Sequence, residues 1–158
     1  MIASMRASIY NEIMQKVLEN QFETVPHAAD MRIRVWGKNL RELFRNCLKA
    51  MASYLKPEAL MGADKERRVR TPIKVEAVDL NSLLVEFLSE TLAETDIHNI
   101  IFTNVLFKKF GENFLEGELL GARAEGLDKD IKAVSYHEVD VKRNHATGMY
   151  ETILVFDI

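Results

Sequence analysis

A chain of 158 residues, 47% hydrophobic and 28% charged, is long enough to bury one core and ordinary enough in composition to be globular. Its formal net charge of -3 disfavours stable nucleic-acid binding, and its one cysteine, Cys47, rules out an intrachain disulfide or a cysteine metal cluster. No apolar run approaches the roughly 18 residues that span a bilayer, and polar residues from Arg6 to Lys16 interrupt any signal-peptide core, so a cytoplasmic chain without membrane contact is expected.

From Ser4 to Asn20, Ile9, Ile13, Val17 and Leu18 fall on one face, which predicts an amphipathic helix within an N-terminal extension over 1–21. The period then changes. Met31, Ile33 and Val35 alternate with Arg32, Arg34 and Trp36, as in a strand with one wet face. Gly37-Lys38 turns the chain, and Asn39 with Glu42 three residues on reads as a capping box. Leu40, Leu43, Phe44, Cys47, Leu48, Met51 and Leu55 then form a helical stripe that Pro57 helps to stop.

A polar connector, Lys56 to Arg68, leads to a second alternating strand from Val69 to Ala77. Asp79 caps a second helix with the stripe Leu80, Leu83, Leu84, Phe87, Leu88 and Leu92. The two strand–helix units align residue for residue, Asn39 upon Asp79, which fits either an internal duplication or two ordinary units of similar length. Beyond His98 only strands are expected: Ile100 to Phe107, Phe114 to Ala124, Ile131 to Lys142 and Tyr150 to Phe156. The pattern predicts a single α+β domain over 22–158, with two helices packed on one face of a mostly antiparallel sheet.

The usual catalytic signatures are missing: the sequence has no GxxxxGK[ST] loop, no GxGxxG after a strand, no GxSxG elbow and no HExxH helix. Cys47 lies on an apolar stripe, where a structural thiol is expected. No two of His27, His98, His137 and His145 stand at metal-ligand spacing. Lys65, Arg67, Arg68 and Arg70 form a basic loop, a solvated connector unless it meets a phosphate or a partner. Two acidic features remain. Asp30 enters a strand just after Pro26-His27-Ala28-Ala29, where a carboxylate commonly caps local amides. Asp157 precedes Ile158, so a side-chain carboxylate and a terminal carboxylate adjoin at the end of an apolar strand. Carboxylates fixed so close repel unless a proton or a cation neutralises them, and oxygen-only donors select hard ions. Spacing alone leaves open whether Asp30 meets this pair.

Several ordered motifs resemble the archease family. They are Phe22-Glu23-Thr24-Val25-Pro26-His27-Ala28-Ala29-Asp30, the helix with Glu42-Leu43-Phe44 after Gly37, and Asp79-Leu80 leading to Leu83-Leu84-Val85-Glu86-Phe87-Leu88. Ile131-Lys132-Ala133-Val134-Ser135-Tyr136-His137 and the ending Phe156-Asp157-Ile158 complete the set. Ala28, Phe87 and Ser135 stand where the family often has threonine, tryptophan and threonine. The resemblance implies a protein cofactor, not an enzyme. It would activate an RtcB-type tRNA-splicing RNA ligase by promoting guanylylation and multiple turnover, with only an indirect link to tRNA. It also implies a divalent cation, calcium being the usual one, held by Asp30, Asp157 and the carboxylate of Ile158. Lys132 and His137 fall in a family motif, and His27 precedes Asp30, so all three join the candidates. The competing readings are a small metal-dependent phosphohydrolase using Asp30 and Asp157 with His27 or His137 as base, and a chaperone or RNA-binding adaptor using the basic loop.

Overall fold

The computed structural model describes residues 21–25, 30–61 and 68–158. The N-terminal helix expected over Ser4 to Asn20, the candidate His27, and Lys65 and Arg67 of the basic loop lie outside the described residues.

The two helices predicted within 22–158 form where the caps and stripes place them. Helix α1 runs Leu40–Leu55, and Asn39 Oδ1 accepts the Glu42 N–H at 2.9 Å. The Glu42 carboxylate reaches back to the N–H of Lys38 at 2.6 Å, one residue earlier than an ideal capping box. Helix α2 runs Leu80–His98, and Asp79 Oδ1 accepts the Ser82 N–H at 2.8 Å, which lowers the Asp79 pKa. Asn99, in the left-handed region at φ 54°, closes α2. Phe44, Cys47, Leu48, Phe87 and Leu88 are fully buried, as their stripes require. Burial also pushes the Cys47 thiol far up, away from any nucleophilic role.

The strands divide into two sheets where one was expected. A five-stranded sheet has the order β1 (Phe22–Val25), β2 (Met31–Gly37), β8 (Tyr150–Asp157) and β6 (Ala133–Val134), with β7 (Lys142–Arg143) also on β8. A three-stranded sheet has the order β3 (Arg68–Glu76), β5 (Phe114–Arg123) and β4 (Ile100–Phe110). All pairings are antiparallel. Alternation reveals which side of a strand is wet, not which strand it joins. Helix α1 packs on β2 and on β4 and so lies between the sheets, while α2 covers the inner face of the smaller sheet and reaches β6. The two strand–helix units that align in sequence therefore belong to different sheets.

Two strand expectations change. Phe22–Val25, too short to signal itself, adds an edge strand to β2. The long strand expected over Ile131 to Lys142 shrinks to β6 and β7 at its ends. Side chains replace the ladder between them. The Asp140 N–H donates to Thr152 Oγ1 at 3.1 Å and the Val141 N–H to Asn81 Oδ1 at 2.9 Å, while Glu138 turns left-handed at φ 64°. No described helix is long and apolar enough to cross a membrane.

On α2, Glu86, Glu90 and Glu94 follow at intervals of four, and the helix contains no Lys or Arg. Partial burial, then Glu86 and Glu94, raise the Glu90 pKa. A carboxyl raised in the folded state costs stability that grows as pH climbs through the ordinary glutamate range into the raised value. Glu90→Gln is therefore expected to raise the melting temperature by about 1–2 °C at pH 7, an effect of about 0.5 kcal/mol after solvent screening. The gain should vanish below about pH 4, where both states are protonated; thermal unfolding followed by circular dichroism at the two pH values checks it.

Candidate functional site

The first candidate residue lies beside β2 and the second at the end of β8. Met31 pairs with Phe156 and Arg32 with Val155. Extending that register by one residue sets Asp30 opposite Asp157. Residues directly opposite share a face with Cβ atoms about 5 Å apart, so the two carboxylates occupy one corner of the sheet. The inner face of β8 carries Thr152, Leu154 and Phe156, all buried, so Asp157 points to the face away from the helices. Asp157 and Ile158 are exposed, Asp30 is half-buried, and one Asp30 carboxylate oxygen is shielded from solvent.

On the other side of β8, the Lys132 N–H donates to the Asp157 carbonyl at 2.7 Å, and Ala133 pairs with Asp157. This fastens the end of β8 between two neighbours. The Ser135 N–H donates to the Val155 carbonyl at 2.9 Å, and the His137 N–H to Ser135 Oγ at 3.0 Å. Lys132 and His137 are both exposed along this rim. The Tyr136 hydroxyl donates to the Glu86 carboxylate, which raises the tyrosine pKa.

The corner joins two candidates that stand at opposite ends of the described chain, and it brings Lys132 beside them through its backbone. His137 stays further along the rim, and among the described residues no hydrogen bond joins its side chain to the corner. The two aspartates supply oxygen donors only, a chemistry that suits a hard cation. Among the described residues, no three His, Cys, Asp or Glu side chains gather in a way that could hold a metal ion. The corner offers two such side chains, those of Asp30 and Asp157.

Two residues that the sequence does not single out adjoin the corner. Arg32 follows Asp30 by two positions on the same face, and its guanidinium pairs with the Glu138 carboxylate. An arginine on the wet face of a strand and a glutamate 106 residues away carry no signal of their pairing. Of the basic loop expected over 65–70, Arg68 and Arg70 instead belong to β3, where Arg70 pairs with Glu118 of β5 at 3.2 Å.

The model of the Archease protein family matches residues 22–158. Protein archease of Pyrococcus furiosus is 32% identical over 131 residues, spanning 78% of this chain and 89% of that protein. The archease-like protein of Drosophila melanogaster is 29% identical over 149 residues, spanning 89% and 92%. The solution structure of protein 1598 of Methanobacterium thermoautotrophicum superimposes with a TM-score of 0.68 at 23% identity, covering 88% of this chain and 99% of that one. A crystal structure described as an archease, possible chaperone, from Thermotoga maritima gives 0.56 at 20%, covering 86% and 96%. The structural likenesses speak for the α+β fold, and the family match spans every described residue from β1 to Ile158; on these grounds the chain belongs to the archease family.

Proposed function

We propose that this chain is a helper protein that activates an RtcB-type tRNA-splicing RNA ligase, promoting guanylylation of the ligase and its repeated turnover. It does so with a divalent cation, calcium being the expected ion, at Asp30, Asp157 and the carboxylate of Ile158. The observation that supports this reading most is the β2–β8 register, which sets Asp30 opposite Asp157. Carboxylates fixed at that spacing repel, and a cation shared between them relieves the repulsion. A bound divalent ion supplies positive charge to phosphate oxygens. The chain's own residues hold the corner still: β2 fixes Asp30, the Lys132 N–H fixes the end of β8, and Lys132 and His137 line the rim that a partner protein would meet. The partner is the ligase, and tRNA is reached only through it, in the cytoplasm.

The test is a guanylylation time course of the ligase with the helper limiting. Asp157→Ala is expected to lower the promoted rate by about tenfold or more, since even the outer partners of a metal ligand are worth roughly 10–100-fold. Asp157 is exposed, so the variant should fold as the wild type does. Activation equal to wild type overturns the cation mechanism. Release of phosphate by the isolated chain would instead favour the hydrolase reading.

A further inference from the structure

The face of the larger sheet that turns away from the helices carries two rows at the corner. Asp30, Asp157 and Ala133 form the first; Arg32, Val155 and Ser135 form the next. Glu138 extends from the rim on one side of β8, and Arg32 rises from β2 on the other. Their ion pair therefore spans β8 at Val155, which is 3% exposed although it lies outside the main core.

Three observations make this pair more than a surface contact. Glu138 adopts a left-handed backbone, at φ 64°, which glycine or asparagine would take at less cost. What glutamate supplies there is its carboxylate. The Arg32 guanidinium meets Glu138 through Nη2, whereas its Nε–H is buried and has no acceptor among the described residues. An arginine fork with an unused donor can move to another carboxylate. Finally, same-face residues two apart on a strand are separated by about 7 Å, so the carboxylates of the corner lie within reach of Arg32, whereas Glu23, diagonal to it on β1, already pairs with Arg34.

We infer that Glu138 is a positioning residue: it holds the Arg32 guanidinium back over Val155 and so keeps that positive charge from occupying the Asp30–Asp157 corner in place of a cation. The inference rests on the cation reading proposed above. Without the Glu138 charge, Arg32 competes for the two aspartates, and a divalent ion must displace it. Arg32 then sets the cation affinity of the corner, and Glu138 sets Arg32.

Calorimetric titration of the full chain with calcium tests this. Glu138→Gln should bind calcium about tenfold more weakly, the scale of one unit charge moved against a divalent ion at this range. The double variant Arg32→Gln/Glu138→Gln should return to within about twofold of wild type, because the competing charge is gone. A purely structural role for the pair predicts the opposite order, with the double variant the weaker binder. Melting temperatures measured without calcium serve as a folding check and should agree within a few degrees. Wild-type affinity in Glu138→Gln, or a double variant as weak as the single one, overturns the inference while leaving the cation site intact. A wild-type chain that takes up no calcium overturns both.

Discussion

Phe44→Ala is expected to lower the unfolding free energy by about 3–5 kcal/mol. The ring is fully buried on α1, 4.9 Å from Phe110 in an edge-on pair and 5.8 Å from Phe87. Phe107 closes the group, 5.1 Å from Phe110 and 5.9 Å from Phe87. This cluster joins both helices to β4, so truncation removes packing at the joint between the sheets and leaves a cavity that backbone on several sides cannot fill. Domains of this size are stable by roughly 5–15 kcal/mol, so a large part of the total is at stake. In urea the midpoint should fall with little change in slope. Phe44→Leu keeps most of the volume and should cost less than about 1.5 kcal/mol. A Phe44→Ala loss no larger than that of Phe44→Leu would show that the cluster does not join the layers as described.

Gly117→Ala should cost about 3 kcal/mol, the upper end for overpacking a fitted interior. A Cβ built on Gly117 would sit 2.2 Å from the Leu106 carbonyl oxygen and 3.0 Å from Phe107 Cα. Both are backbone atoms of the paired strand β4, which cannot rotate aside as a side chain can. The ladder shifts register just beyond, between Phe107 and Lys109, so β4 bulges where β5 has no side chain. Gly126→Ala is the matching control, because nothing lies within 4 Å of the place its new methyl group would take. Equal melting temperatures for the two variants would sink the argument.

The helices were legible because each stripe and each cap is local: Asn39 and Asp79 announce starts that the chain then makes. The partition of the strands was not legible, since β2 and β3 look alike in sequence and differ only in their distant partners, β8 and β5. The segment after β6 misled for another reason. Its alternation of apolar and polar residues resembles a strand, yet Asn81 and Thr152 take its backbone donors and Glu138 breaks the extended path. At the candidate site, the chemistry of Asp30 and Asp157 could be read from their carboxylates and the family motifs, whereas their opposition needed the β2–β8 register. The Arg32–Glu138 pair lay beyond reach altogether, because an ion pair across 106 residues leaves no trace in spacing.

The placement of β8 inside the larger sheet bears on how the chain is made. During synthesis β2 emerges well before the strand that will cover its edge, with most of the described elements between them. Pairings of such wide separation in sequence are slow to close. The smaller sheet and α2 can assemble first, from neighbours close in sequence, while β2 keeps an open edge and the unpaired apolar side chains of Met31, Ile33 and Val35. Such an edge invites mispairing with other nascent chains. The order of emergence thus makes the larger sheet the place where a stalled or truncated translation product would aggregate.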